Sequence, residues 1–179
     1  MPKPAPIIFT IGHSTRTIDE LVAMLRTHGV ERIVDVRTIP RSRHNPQFNR
    51  EALRTSLHNR RLGYRHLKAL GGLRRARADS TNTGWRNASF RGFADYMQTP
   101  AFDDALEQLI ALAREKRVAI MCAEAVPWRC HRSLISDALL SRHCKVRDIM
   151  SAKSAKPHIL TPMAKVVGHH VTYPGNSQK

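Results

Sequence analysis

Hydrophobic positions along the chain follow two periodicities, one typical of buried strands and one typical of amphipathic helices. The apolar run Ile7–Gly12 predicts a first strand, and Thr17 begins a Thr-x-x-Glu capping box that opens a helix. Apolar residues then recur at helical spacing until His28-Gly29, and a second strand follows over 32–37. A strand, a crossover helix and a strand of these lengths form a right-handed unit with parallel strands. The pattern therefore predicts an α/β fold.

The alternation of strands and helices continues to about residue 150. After a proline-broken loop over 39–49, the sequence predicts helices over 50–59, 89–97, 101–116 and 130–142, and strands over 62–67, 118–122 and 145–150. The segment 71–87 has no periodicity, and we expect it to be mobile, as a lid would be. We expect one domain over 1–170, with a mostly parallel sheet flanked by helices in a Rossmann-like three-layer arrangement, and a disordered tail over 171–179.

The bulk composition is typical of a globular protein. Hydrophobic residues make up 41% of the 179 residues, and no apolar run approaches the roughly 18 residues of a membrane span. The first residues do not resemble a secretory signal. The chain has three cysteines, and an odd number argues against a disulfide framework. We therefore expect a cytoplasmic protein with no membrane partner.

The charge is strongly basic and unevenly distributed. The formal net charge is +16, and the span 37–91 alone holds 13 arginines and one lysine against two acidic residues. Arginine donates two parallel hydrogen bonds to phosphate, so the span favours nucleic acid or a phosphorylated small molecule as a partner. A general arginine bias of the sequence explains the excess as well, and that alternative stays open.

The most distinctive chemistry lies in the segment 121–132. There Cys122 ends a predicted strand, and Cys130-His131-Arg132 begins the next predicted helix. In open α/β sheets ligands gather beyond the carboxyl ends of strands, where helix N-termini favour anions and thiolates. The candidate catalytic residues in this segment are Cys122, Glu124, Cys130 and His131. Its candidate anion-binding residues are Arg129 and Arg132.

The ends of the first and second strands add further candidates. Asp35 and Arg37 alternate with valines, so they point to one face, toward the edge where Cys122 ends its strand. A buried carboxylate requires a partner, for which Arg37, Arg43 and Arg132 are available. We add Asp35 to the catalytic set, and His13, Arg37 and Arg43 to the anion-binding set. A salt bridge of Asp35 that only fixes a loop is the structural alternative.

Structural explanations compete with catalysis in the cysteine segment too. A free cysteine is often a small buried hydrophobe, and Cys130 falls at the spacing of a core residue. The layout of strand, cysteine, loop and helix occurs in rhodaneses and cysteine phosphatases, where five residues separate cysteine from arginine. Six separate Cys122 from Arg129, and Pro127 lacks an amide, so that mechanism is not transferred.

Metal and cofactor signatures are missing from the sequence. It has no Cys-x-x-Cys or His-x-x-x-His spacing, and arginines around the cysteines repel a cation, so we expect no metal. It has neither a dinucleotide-binding fingerprint nor a P-loop, so we expect no nucleotide cofactor.

Several motifs in combination resemble domain-of-unknown-function family 488, a group of bacterial and archaeal proteins. The matching pieces are Thr10-Ile11-Gly12-His13-Ser14, Val34-Asp35-Val36-Arg37, Pro40-Arg41-Ser42-Arg43 with Phe48, Gly63-Tyr64, Leu70-Gly71-Gly72, Cys122-Ala123-Glu124 and Cys130-His131-Arg132. They span about residues 7 to 165. The resemblance implies a compact α/β domain but no activity. Asp148 is a departure, because similar sequences usually carry histidine there.

Three functions are compatible with these observations. The leading hypothesis is an enzyme with a Cys/Glu/His/Arg pocket that acts on a phosphate-bearing or nucleic-acid-derived substrate. The alternatives are a non-catalytic nucleic-acid-binding module that uses the span 37–91, and a sulfur-transfer enzyme. The sequence does not decide whether the protein is an enzyme, and it leaves the substrate and the oligomeric state open.

Overall fold

The apolar runs of the sequence form a central six-stranded sheet in the computed structural model, which describes residues 3–176. Its strands are β1 (Ile7–Gly12), β2 (Arg32–Asp35), β3 (Gly63–His66), β4 (Val118–Cys122), β5 (Lys145–Ser151) and β6 (Ser154–Pro157). The order across the sheet is β3-β2-β4-β1-β5-β6. The first five strands are parallel, and β6 runs antiparallel to β5. The predicted mostly parallel sheet is confirmed.

Helices cover both faces of this sheet. They are α1 (Ile18–Thr27), α2 (Arg50–Asn59), α3 (Ala88–Tyr96), α4 (Pro100–Glu115) and α5 (Arg132–Ser141). The predicted capping box of α1 is present, since Thr17 Oγ1 accepts a hydrogen bond from Glu20 N and Glu20 Oε2 accepts one from Thr17 N. Among residues 3–176, no helix is both long enough and apolar enough to cross a bilayer.

Alternation along the strands produces two separate cores. Val34 and Ile120 pack in the cluster that contains side chains of α3, α4 and α5, whereas Ile33 and Ala119 pack in the cluster of α1 and α2. Both clusters are almost fully buried. The result is the three-layer arrangement expected from the pattern.

The carboxyl ends of β1, β2 and β4 meet at one edge of the sheet. In the register Asp35 lies beside Met121, and Gly12 lies beside Cys122. Beyond the last rung, the His13 amide still donates to the Cys122 carbonyl at 2.9 Å. This neighbour relation brings the chemistry of three chain segments to one place.

The chain beyond residue 160 is more ordered than the sequence indicates. A second, two-stranded sheet is formed by β7 (Lys165–Val167) and β8 (His170–Thr172). Within the expected tail, Val171 and Tyr173 are buried, and the Tyr173 hydroxyl donates to Asp137 Oδ2 at 2.7 Å. The structure therefore places residues 171–173 against the domain, within the span for which the sequence predicts a disordered tail, while 177–179 lie outside the described residues. The strands are too short to leave a periodic pattern.

The segment 71–87 has no helix or strand, as predicted. Its middle is nevertheless held against α3, because Asp95 accepts hydrogen bonds from the Arg77 amide, the Ser80 hydroxyl and the Asn82 side chain. Asn82 is also buried. This part of the segment is packed, which differs from the mobile lid expected from its composition.

Candidate functional site

A cavity of about 310 Å³ opens at the carboxyl edge of the sheet. The sequence-predicted residues that line it are Arg37, Cys122, Glu124, Arg129, Cys130 and His131. Arg41, Leu73 and Phe90 complete much of the wall. Six of the ten candidates therefore share one cavity, which we call the thiol cavity.

Cys130 lies just before α5, not inside it. Its backbone is extended, and His131 is the N-cap of the helix, so the predicted start of the helix at residue 130 is corrected by two residues. The Arg132 amide donates to Cys130 Sγ at 3.4 Å. A sulfur at this position faces the free N–H groups of the first helical turn, which favour a negative charge.

The imidazole of His131 is oriented by two backbone carbonyls. Its Nε2 lies 3.0 Å from both the Val36 and the Leu70 carbonyl oxygens. Carbonyls only accept hydrogen bonds, so Nε2 carries a hydrogen. Nδ1 is left facing Cys130 Sγ at 3.4 Å. The ring is thus placed to exchange a proton with the Cys130 thiol.

Close packing fixes this ring from the side. A Cβ at Gly72 would lie 2.7 Å from His131 Nδ1, so no larger residue fits there without displacing the ring. The Phe93 ring contacts it edge-on, with centroids 5.1 Å apart. The position of the imidazole is therefore determined by backbone on one side and an aromatic ring on the other.

Arg132 is buried to 1% exposure, and within residues 3–176 its guanidinium has no carboxylate partner. Nε donates to Cys122 Sγ at 3.0 Å, Nη1 to Thr10 Oγ1 at 3.1 Å, and Nη2 to the Glu124 carbonyl at 2.7 Å. Guanidinium stays protonated in proteins, and a buried charge needs a compensating one. Of these three partners, only the cysteine sulfur is able to become an anion.

Cys122 and Cys130 behave as a coupled pair. Burial raises the pKa of the Cys122 thiol, and its hydrogen bond to Cys130 raises it further. The same hydrogen bond lowers the pKa of Cys130, with His131 and the Arg132 charge acting in the same direction. Arg132 Nε donates to Cys122 Sγ, so the guanidinium polarises this thiol. The negative charge of the pair is therefore favoured on Cys130, which lies beside His131 Nδ1 and the Arg132 amide.

The Asp35 side chain is fully buried, and both of its carboxylate oxygens accept hydrogen bonds. Its carboxylate accepts hydrogen bonds from Arg37 Nε at 2.9 Å, Arg37 Nη2 at 2.7 Å and the Tyr64 hydroxyl at 2.6 Å. Burial and the Asp35 charge raise the pKa of Tyr64. Arg37 is the partner that the sequence offered for this carboxylate. The pair holds the Arg37 guanidinium at the cavity wall, and Asp35 itself does not line the cavity.

His13 lies behind Arg37 rather than in the cavity. Its Nδ1 donates to the Ser14 carbonyl at 2.9 Å, and its Nε2 lies 3.4 Å from Arg37 Nη1. The ring stacks on Phe48 at a centroid distance of 4.2 Å. Burial lowers the pKa of His13 to about 4. A neutral imidazole in this place contacts Arg37 and does not line the cavity, and the anion-binding role of His13 stays a prediction.

The arginines of the loop over 39–49 divide into two environments. Arg41 lines the thiol cavity, whereas Arg43 is exposed and does not line it. The sequence favoured Arg43 and missed Arg41, and an irregular loop carries no periodicity that separates them. Tyr64 was missed as a site residue as well, although its place in β3 next to Ile33 puts it beside Asp35.

The acidic, thiol and imidazole groups do not gather as ligands of a metal ion. Across residues 3–176 no three side chains of His, Cys, Asp or Glu lie close enough together to hold one. The donors around the two sulfurs are the cationic and N–H groups of Arg132 and His131. This environment suits an anion.

Comparison with known proteins gives a family match. Residues 17–139 match the model of a family described as Domain of unknown function DUF488. The matched part is more than half of the chain, and it holds Asp35, Arg37, Cys122 and Cys130-His131-Arg132. No curated protein and no solved structure matches the chain. The chain therefore belongs to the family Domain of unknown function DUF488.

Proposed function

We propose that the protein is a thiol-dependent enzyme in which the Cys130 thiolate attacks a phosphate-bearing or nucleic-acid-derived substrate. The buried Arg132 guanidinium carries this proposal, because within residues 3–176 it contacts no carboxylate, and the cysteine pair is the neighbouring group that is able to balance its charge: Nε donates to Cys122 Sγ, and the Arg132 amide donates to Cys130 Sγ. A buried charged group often contributes no more to protein stability than apolar residues of similar volume would. Stability alone therefore does not explain why Arg132 is buried. A thiolate that is held ready for reaction explains its presence.

Each residue around the sulfur has a distinct role in this reaction. Cys130 Sγ forms a bond to the electrophilic atom of the substrate as the leaving group departs with the bonding electron pair. The proton held between Cys130 Sγ and His131 Nδ1 passes to that leaving group. Cys122 and Arg132 are positioning residues, since they stabilise the thiolate and take no part in forming or breaking the substrate bond. Water or a second substrate then cleaves the covalent intermediate.

Charge at the cavity supports an anionic substrate. Arg37 is held in the wall, and Arg41 and Arg129 are exposed at the opening. Arginine binds phosphate oxygens bidentately. The exposed Glu124 is the carboxylate of the cavity lining, so we assign it to activation of the water or acceptor in the second step.

Alkylation by iodoacetamide, followed residue by residue with mass spectrometry, tests the proposal. Cys144 is an internal control, because it is 4% exposed against 5% for Cys130 and burial raises its pKa. We expect Cys130 to react at full rate well below the usual thiol pKa of about 8.5, and inorganic phosphate to protect it. If Cys130 reacts as slowly as Cys144 at every pH, the proposal is wrong.

Nucleic-acid binding without catalysis is the second candidate. It is favoured by exposed arginines of the span 37–91 that make no ion pair within residues 3–176: Arg41, Arg43, Arg54, Arg61, Arg65, Arg75 and Arg86. Binding that weakens steeply with salt and survives both Cys122→Ser and Cys130→Ser would support this function. Sulfur transfer uses the same thiolate, and its signature is a persulfide on either cysteine after exposure to a sulfane sulfur donor.

A further inference from the structure

A second and larger cavity lies on the other side of the turn at Pro127–Arg129. Its volume is about 680 Å³, which is within the range of pockets that hold small ligands. The residues that characterise its lining are Trp85, Trp128, Asp148, Pro157, His158 and Met163. We call it the tryptophan cavity.

Aromatic and apolar side chains form most of its wall. The sequence has two tryptophans, and both line this cavity. Trp85 is braced by Phe90 and Tyr173, at centroid distances of 5.0 Å and 5.4 Å. Trp128 is 63% exposed, which is unusual for the largest apolar side chain. A flat ring that stacks on Trp128 would cover this surface.

The cavity also has an acidic group with unused hydrogen-bonding capacity. Asp148 is 7% exposed and lines the wall. Its Oδ1 accepts a 2.6 Å hydrogen bond from Thr10 Oγ1, but its Oδ2 has only a 3.6 Å contact with His158 Nδ1. The short hydrogen bond of His158 is made to Asp137, whose Oδ1 lies 2.8 Å from His158 Nε2. Within residues 3–176 the side chain nearest to Asp148 Oδ2 among its polar contacts is His158 at 3.6 Å, so this oxygen keeps an acceptor site for a ligand in the cavity.

The two cavities share a partition. Trp128 lines the tryptophan cavity while the next residue, Arg129, lines the thiol cavity. On the opposite side, Trp85 contacts Phe90, which belongs to the thiol cavity. The tryptophan cavity has no lining residue in common with the thiol cavity. Binding of a ligand in it does not depend on the proposed thiol reaction.

We infer that the tryptophan cavity binds a flat heteroaromatic ring with N–H donors, of the kind found in a purine nucleoside. The ring stacks on Trp128, and an exocyclic amine donates to Asp148 Oδ2. Stacking accepts any flat π-system, whereas the carboxylate requires a donor, so the two contacts together define the class. No phosphate-binding loop is needed, which agrees with the lack of such a motif in the sequence.

Adenosine and N6,N6-dimethyladenosine are the probes that test this inference, since they share the ring system and the ribose, and two methyl groups replace both N–H hydrogens of the amine. Both tryptophans report on the cavity, so intrinsic fluorescence of the full chain is titrated with each compound. We expect saturable quenching by adenosine, and an affinity at least about tenfold lower for the dimethyl compound, since Asp148 then lacks a donor. Calorimetry with Trp128→Ala is expected to show about a tenfold loss of adenosine affinity.

Matched variants complete the experiment. Val167 is 65% exposed and lies outside both cavities, so Val167→Ala controls for loss of an exposed apolar side chain. Cys130→Ser is expected to bind adenosine like the parent, which separates this inference from the proposed thiol reaction. The inference is overturned if adenosine gives no saturable quenching up to its solubility limit, if both compounds bind equally, or if Trp128→Ala binds like the parent.

Discussion

The Nε atom of Arg132 lies 3.0 Å from the Sγ atom of Cys122, and both side chains are buried. The guanidinium polarises the Cys122 thiol, and that thiol stabilises a negative charge on Cys130. The buried Arg132 charge therefore favours a negative charge on Cys130, although the Arg132 side chain donates its 3.0 Å hydrogen bond to Cys122 Sγ. Removal of either Arg132 or Cys122 should therefore raise the pKa of Cys130.

Replacing Arg132 by methionine removes the charge while keeping an apolar side chain of similar length. We expect the pKa of Cys130 to rise into the usual thiol range, because its counter-charge is lost. We also expect the free energy of unfolding to fall by about 2 kcal/mol, since the Thr10 hydroxyl and the Glu124 carbonyl lose a donor. The ultraviolet absorbance of the thiolate and chemical denaturation measure these effects. Arg114→Met, at an exposed position of α4, is the matched control and should change neither.

Replacing Cys122 by alanine removes the donor to the Cys130 thiolate. We expect the pKa of Cys130 to rise by about one pH unit, as one hydrogen bond to a charged group is lost. Cys122→Ser keeps a donor and should raise it less. The pH dependence of Cys130 alkylation measures the change, with Cys144→Ala as the control. A pKa that is unaltered in Cys122→Ala would show that the two sulfurs are not coupled.

Replacing Gly72 by alanine places a Cβ 2.7 Å from His131 Nδ1, so the imidazole must move away from Cys130. We expect catalysis or thiol reactivity to decrease about tenfold with a fold that is retained, because misplacing a catalytic group is costly even over a short distance. Circular dichroism verifies the fold, and alkylation of Cys130 measures the reactivity. Retention of full reactivity in this variant would remove His131 from the proposed mechanism.

Arg41 and Arg43 provide a matched pair within one loop. Arg41 lines the thiol cavity, whereas Arg43 is exposed outside it. We expect Arg41→Gln to weaken phosphate protection of Cys130 about tenfold, since one charge-assisted hydrogen bond is lost, and Arg43→Gln to have little effect. Equal effects of the two variants would indicate a diffuse basic surface instead of a specific anion site.

The raised pKa of His158 predicts that the free energy of unfolding decreases at alkaline pH. The hydrogen bond of His158 to Asp137 and the nearby Asp148 carboxylate outweigh burial and raise its pKa to about 9, from 6.5 in the unfolded chain. The folded state therefore holds a proton that the unfolded state releases, so this stabilisation is complete below about pH 6.5 and is lost as the pH rises through 9. We expect a loss of about 2 kcal/mol after allowance for solvent screening. Denaturation at several pH values measures it. His158→Gln should abolish the dependence, while His44→Gln at an exposed position should not.

The candidate site was only partly predictable from the sequence. The sequence singled out Cys122 and the run Cys130-His131-Arg132 because strand ends and helix starts are local signals, and the structure brings Cys122, Cys130 and His131 to one cavity. The sequence named Arg132 as an anion-binding candidate, but the contacts of its guanidinium were not predicted, because Thr10 is distant in the chain and Glu124 contributes only a backbone carbonyl. The anion-binding role of His13 stays a prediction, while burial against Phe48 favours the neutral form of its ring.

Local periodicity and turn chemistry determined the α/β class, the capping box at Thr17 and the meeting of candidate residues at one edge of the sheet, since these depend on neighbours within a few positions along the chain. Tertiary structure alone decided that β2 lies between β3 and β4, that Arg41 rather than Arg43 lines the thiol cavity, and that Tyr173 is buried on Asp137. Strand order, cavity walls and the balance of buried charges are set by contacts between segments far apart in sequence. The energy of such contacts depends on burial and partners that no local pattern specifies.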